Sequence, residues 1–396
     1  MTSPYFTPAH DRFRAHVRAL IAETVLPHAD NWERDRQLPR HLWRSLGDAG
    51  MLGLYHPRAY GGAERDLFYS IVFLEELGRS GYSGFRAAVS VHSYMATHYL
   101  ARAGSSTLKA DYLAPAIAGE RVAALAITEP EAGSDLSQLK TIAAYNGGSY
   151  SITGSKTFIT NGTTADFAVV VAKTKPSAVG MAGLSLLLVE LDQPGVTRTP
   201  IATIGWHSGD IADLHFQGVQ VSADHLVGHS ETAFMQLMYG LQLERLVAAA
   251  LALGGMDRCL ELIRLHLCQR QVFGETLMRY QALRHRVADL VTEVEATRHL
   301  IHHAAWKYQN GALPIAECTM AKLKATELAS RVTAECLHMY GSKGYIGDAA
   351  MARFFRDAPA GTLAGGASEV MRDIIAQLAL DEGWTAATAP DHSDAD

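Results

Sequence analysis

Apolar positions in residues 1–120 recur at helix spacing. Phe13, Val17, Leu20 and Ile21 form one stripe, which Pro27 closes. The same period predicts helices over 41–52, 69–77, 89–101 and 106–117, with Tyr60-Gly61-Gly62 as a turn between the first two. The pattern changes near Arg121. Short runs rich in Val, Ile, Thr and Leu now alternate with Gly and Asn turns, predicting strands over 122–128, 141–145, 150–153, 157–160, 167–172, 184–190 and 214–221. Asn146-Gly147-Gly148 between two of these is a hairpin signal. The helical period returns at about Thr232 and predicts helices over 234–270, 280–309, 315–340 and 367–378.

So many short strands without intervening helices predict a small β-barrel, and three long helices plus a shorter one predict a four-helix bundle. The expectation is an α+β chain in three units: an N-terminal α-helical domain (1–120), a middle β-barrel (121–231) and a C-terminal four-helix bundle (232–380). A tail of Ala, Thr, Asp, Pro and His (381–396) reads as disordered.

Composition narrows the function classes. Of 396 residues 48% are apolar and 19% charged, so the chain can offset its ordering entropy and fold. The net charge of -6, without a dense Lys/Arg run, disfavours nucleic acid as a partner. Cys259, Cys268, Cys318 and Cys336 form no CxxC pair and fit buried thiols in a reducing cytoplasm, the expected location. The longest low-polarity run, 247–256, is far short of the ~18 apolar residues of a membrane span, so none is expected.

Two segments could carry chemistry. Thr128-Glu129-Pro130-Glu131-Ala132-Gly133-Ser134-Asp135 follows a strand and gathers hydroxyls and backbone N–H groups that suit an anionic or carbonyl-rich ligand, although a plain surface turn has the same composition. Lys156-Thr157-Phe158-Ile159-Thr160-Asn161-Gly162 ends another strand with an aromatic that either stacks on a flat ring or fills the barrel core.

Together these segments resemble the flavin-binding signature of the acyl-CoA dehydrogenase family. Further matches follow in the family's order: 204–210, 214–216, 226–228, Arg270 to Gly274 with Gln281, Tyr340 to Tyr345, Arg356-Asp357-Ala358 and Gly366 to Val370. The resemblance spans residues 10–380. It implies FAD, a thioester substrate and a homotetramer or dimer. By motif position it implies flavin or pyrophosphate contacts at Thr128, Ser134, Phe158 and Thr160. Arg270, Phe273 and Gln281 would reach the FAD of a neighbouring subunit. His338, Gly341 and Ser342 match the stretch that holds the adenosine-diphosphate end, with His338 and Ser342 departing from the usual Gln and Gly. Ser368 and Glu369 complete the implied cofactor contacts.

The implied reaction is α,β-dehydrogenation, which needs a carboxylate base in a dry pocket and hydrogen bonds to the thioester carbonyl. Most relatives carry that Glu where this chain has Gly365. A minority branch, resembling isovaleryl-CoA and long-chain dehydrogenases, carries it on another helix directly before an Arg. Here that helix reads Gly240-Leu241-Gln242-Leu243-Glu244-Arg245, so Glu244 is the expected base, with the Gly365 N–H helping to stabilise the enolate. An ordinary helix carboxylate paired with a neighbouring Arg is the plainer alternative. Tyr94, Met95, Gln242, Arg245 and Ala364 are the expected substrate contacts, with core packing the competing explanation for Tyr94 and Met95.

Three rival functions fit less well. A di-metal site needs two Glu-x-x-His motifs, and only Glu335-x-x-His338 is present; His299, His302 and His303 lack companion carboxylates. A flavin monooxygenase tolerates Gly365 but leaves Glu244 without a role. A non-catalytic thioester-binding protein needs neither. The acyl carrier (CoA or a carrier protein) and the electron acceptor (an electron-transfer flavoprotein or oxygen) stay open.

Overall fold

The computed structural model describes residues 3–347 and 349–381. Apart from the backbone of Asp381, the tail expected over 381–396 lies outside the described residues.

The chain opens with α1 (Pro8–Thr24), α2 (Ala29–Asp35) and α3 (Arg40–Asp48), followed by α4 (Leu67–Arg79) and α5 (Ser83–Ser90). Asp66 caps α4 by accepting the Phe68 N–H at 3.0 Å. A π-helical turn, Val91–Ala96, joins α5 to α6 (Thr97–Ala103). A second, Lys109–Leu113, lies between α7 (Ser106–Leu108) and α8 (Ala114–Ile117). The continuous helices expected over 89–101 and 106–117 therefore each contain a wider turn, a feature common at functional sites.

Seven strands follow: β1 (Ala123–Ala126), β2 (Ile142–Asn146), β3 (Ser149–Ile159), β4 (Phe167–Lys173), β5 (Leu184–Glu190), β6 (Val196–Pro200) and β7 (Ala212–Ser222). They form one sheet in which β5 pairs with β4, β4 with β1 and β2, and the order then continues β2-β3-β7-β6. Among the described residues β5 and β6 are not paired with each other, so the expected barrel is a half-barrel. β4 and β5 are buried on both faces, and their sequences accordingly read as continuous apolar runs rather than alternating ones.

Two sequence expectations are corrected here. The strands expected over 150–153 and 157–160 are one strand, β3; Gly154 reads as a break but sits at a register shift against β7. β6 was not expected, because Val196-Thr197-Arg198-Thr199-Pro200 is a half-exposed edge with little apolar content. The hairpin signal at Gly147-Gly148 does join β2 to β3, with φ of 55° and 107° at the two glycines.

The rest is helical. α9 (Ala233–Gln269) leads through a small hairpin of β8 (Gln271–Val272) and β9 (Glu275–Thr276) to α10 (Gln281–Gln309) and α11 (Ile315–Tyr340). The chain then forms α12 (Ala350–Asp357), α13 (Ala360–Leu363) and α14 (Ser368–Asp381). α9 is the central helix, packed against α4, α10 and α11, which explains its apolar middle: a helix buried on most sides has no wide polar face. The Trp206 indole donates to the Asp357 carbonyl at 3.0 Å, tying the sheet unit to α12. Among the described residues no helix is long and apolar enough to cross a membrane.

Candidate active site

α9 brings three polar side chains into the core within about one turn. Gln242, Glu244 and Arg245 are all buried, and Glu244 is only 4% exposed. Glu244 Oε1 accepts the hydroxyl of Tyr99 on α6 at 2.8 Å. The contact depends on Gly240, one turn earlier on α9, because a methyl built there would overlap the Tyr99 hydroxyl and ring. Burial pushes the Glu244 carboxyl above the usual carboxylate range, against the opposing pull of the Tyr99 hydrogen bond and the Arg245 charge.

Arg245 does not pair with its neighbour in sequence. Its Nη1 donates to Gln242 Oε1 at 3.2 Å and to Thr319 Oγ1 of α11 at 3.1 Å. Gln242 in turn donates to the Met238 carbonyl at 3.0 Å, so both side chains are held within the helix wall. One turn along α11 from Thr319, the fully buried Lys322 donates to the Gly366 carbonyl. Burial, and then the nearby Arg245 charge, lower the Lys322 ammonium to about 8. α11 is thus a common wall for the Glu244 segment and for the Gly365-Gly366 turn. Gly365 has φ of +68° and open space around its Cβ position. Ala364 beside it is exposed, Tyr94 is buried, and Met95 is half-buried on the π-helical turn.

The second cluster lies at the end of β3. Lys156 is fully buried, and its Nζ donates to Glu129 Oε1 and to the Ile127 carbonyl, each at 2.8 Å. Glu129 also accepts the Lys140 N–H at 2.6 Å and the Thr141 N–H at 3.0 Å. Burial works to raise the Glu129 carboxyl, but the Lys156 charge and these hydrogen bonds hold it below the usual range. Burial lowers Lys156 to about 8. Beside the pair, Thr128 Oγ1 donates to the Thr157 carbonyl at 2.5 Å and the Thr157 N–H donates back to the Thr128 carbonyl at 2.9 Å.

This fixed frame turns one ring outward. Between Lys156 and Ile159 the register of β3 against β7 shifts, and Phe158 in the shift has φ of 56° and is 65% exposed. A bulky residue in the left-handed region is strained, and bulges recur where a side chain is re-aimed beside a site. Thr160 beyond it is buried, while Ser134 is exposed on the Thr128 loop. The outward aromatic and the neighbouring hydroxyls fit a flat ring system carrying a polar tail, and at the start of α14 the buried Oγ of Ser368 has no hydrogen-bond partner among the described residues.

The other expected cofactor residues lie elsewhere. Arg270, Phe273 and Gln281 cluster near the C-terminal end of α9, and Phe273 is 94% exposed at the β8–β9 hairpin tip. His338, Gly341 and Ser342 are exposed at the end of α11, and Glu369 is exposed on α14. From Glu244 to Arg270 the helix rises roughly 39 Å at 1.5 Å per residue, so one chain does not bring Arg270 to its own Glu244. Of the groups weighed for a metal, His302 Nε2 meets Glu75 Oε1 at 2.8 Å and Glu335 meets Arg286 at 3.5 Å.

Tyr99, Gly240, Thr319 and Lys322 were not among the expected site residues. Glu129 and Lys156 lay inside the motifs that drew attention, and their opposite charges were the available signal.

Comparison with known proteins is consistent across the chain. Three family models match: "Acyl-CoA dehydrogenase, N-terminal domain" over residues 7–120, "middle domain" over 124–219 and "C-terminal domain" over 234–380. The long-chain specific acyl-CoA dehydrogenase of Sus scrofa is 34% identical over 374 residues, covering 94% of this chain and 86% of that one. The crystal structure of an acyl-CoA dehydrogenase from Geobacillus kaustophilus superposes with a TM-score of 0.92 at 36% identity, covering 95% of this chain and 99% of the other. The prolyl acyl carrier protein oxidase AnaB superposes with a TM-score of 0.89 at 28% identity, covering 94% and 99%.

Proposed function

The chain belongs to the acyl-CoA dehydrogenase family, and from that premise we propose that Glu244 is the base of its acyl-thioester dehydrogenation. Its cofactor is FAD, which when bound supplies the acceptor for the two electrons and the hydrogen leaving the β-carbon. The observation that carries the proposal is a carboxylate buried to 4% exposure and held by Tyr99, on a helix that shares the α11 wall with the Gly365 turn.

Glu244 takes the α-proton, and the C–H electron pair it leaves becomes the new carbon–carbon π bond. A dry setting strengthens this base, since the raised proton affinity of a buried carboxylate matches it better to a weak carbon acid. The backbone N–H of Gly365 donates to the thioester carbonyl as enolate charge builds, with Lys322 holding the adjoining Gly366 carbonyl. Gln242 and Arg245 shape the wall beside the thioester, and Tyr94, Met95 and Ala364 bound the acyl group.

Thr128, Ser134, Phe158, Thr160, Ser368 and Glu369 are assigned to FAD held by the same chain. Arg270, Phe273, Gln281, His338, Gly341 and Ser342 are assigned to FAD across a subunit boundary, in a homotetramer or dimer. The exposure of Phe273 and its distance along α9 from Glu244 support that division. The likeness to the prolyl carrier protein oxidase supports a carrier-bound aminoacyl or acyl group as the second substrate reading beside acyl-CoA. An electron-transfer flavoprotein goes with the first reading and oxygen with the second.

Glu244→Gln tests the base. FAD content should match the wild type, while flavin bleaching by CoA- and carrier-linked acyl groups falls by ~10²–10⁴-fold. Bleaching at the wild-type rate would reject the assignment.

A further inference from the structure

Resting on Glu244 as the base, we propose that Tyr99 is its positioning residue: the Tyr99 hydroxyl holds one carboxylate oxygen and leaves the other to receive the proton. Nothing in the spacing of the two residues along the chain suggests the pairing, since they stand 145 positions apart. The structure joins them on three counts.

The first is geometry. The 2.8 Å contact is made between two side chains that are each almost fully buried, so water does not substitute for it. The second is the support of the donor. The Tyr99 ring packs in the cluster that contains Leu100, Leu237 and Ala233, and Gly240 leaves on α9 the space that the ring and hydroxyl occupy. The third is the direction of the hydrogen bond. Burial, and then the Glu244 charge itself, push the Tyr99 phenol well above its ordinary value, so it stays protonated and donates.

The remaining charged and titratable groups do not duplicate this role. Arg245 on α9 is turned to Gln242 and Thr319. Tyr308 of α10 acts electrostatically on Tyr99, while Cys318 and Lys322 of α11 are coupled electrostatically to Arg245. Tyr99 is the one side chain that hydrogen-bonds the carboxylate among the described residues. A hydrogen bond to the charged form favours it, so Tyr99 opposes the upward push of burial on the Glu244 carboxyl.

Tyr99→Phe removes the hydroxyl and keeps the ring in its packing cluster. The readout is the titration midpoint of Glu244 in the FAD-loaded enzyme, taken from the carbonyl stretch of its protonated form by infrared difference against Glu244→Gln. No substrate is needed. The midpoint should rise in Tyr99→Phe by about one pH unit, a tenfold change in the ratio of charged to neutral carboxyl. An unmoved or lowered midpoint overturns the proposal. Flavin bleaching by acyl thioesters separates this from the base assignment. If Glu244→Gln loses bleaching while the Tyr99→Phe midpoint stays put, Tyr99 alone is rejected. If Glu244→Gln keeps bleaching, the base assignment falls and the Tyr99 contact has no catalytic meaning.

Discussion

Glu244 holds a charge where the fold would rather have none. Its folded-state pKa is raised by burial, so ionisation costs stability at pH values above that pKa, and the cost vanishes below the unfolded value of 4.5. Glu244→Gln keeps the acceptor for Tyr99 and removes the charge. The variant should therefore melt at a higher temperature than the wild type at neutral pH, with the gap closing as the pH falls to 4.5, as read by thermal denaturation at both pH values. An equal gap at both would contradict the sign. At this scale the sequence was informative only where chemistry is local. Glu244 beside Arg245 was recognisable from its motif, but Arg245 turned out to serve Thr319 instead. Tyr99 and Lys322 were not recognisable, because a Tyr and a Lys at helical spacing look like any half-polar helix until α9, α6 and α11 are packed together.

The strand β3 shows how an element can be read correctly in composition and wrongly in continuity. Gly154 suggested two strands, whereas the backbone passes through it with a register shift and remains one. The second shift, around Phe158, had no signal of its own, since a bulky aromatic is the residue least expected at positive φ. The buried Lys156–Glu129 pair holds that end of the strand in place. Lys156→Met would strand the Glu129 carboxylate without its cation, and removing one partner of a buried pair typically costs about 3–5 kcal/mol. Urea denaturation should show that loss, together with weaker FAD retention on gel filtration. A loss under about 1 kcal/mol would mean that the pair is not holding the strand.

Across the whole molecule, the order helices, strands, helices was legible because the hydrophobic period changes only twice, near Arg121 and near Thr232. Sheet closure was not legible, since whether two edge strands meet is decided by twist and by what covers them. Buried histidines give the fold a pH signature. His92 meets the Ala116 carbonyl through Nε2 at 3.0 Å and accepts the Ala123 N–H at Nδ1, also at 3.0 Å, so it must be neutral. Burial lowers His56 and His92 to about 4 and His98 to about 3. Their folded pKa values are depressed below the unfolded 6.5, so this stability is fully present above pH 6.5 and is lost as the pH falls from there towards 4. Calorimetry should show a Tm that is level above pH 6.5 and declines below it. A Tm that stays level down to pH 4.5 would mean that these rings are protonated in the fold.

Gly365 carries a consequence for where a carboxylate can be placed. Its φ of +68° suits glycine, although the space around it would admit a side chain. An L-residue placed there would meet a penalty of roughly 1–2 kcal/mol before it could act. A carboxylate placed at this turn therefore carries a backbone cost that the same group on α9 does not.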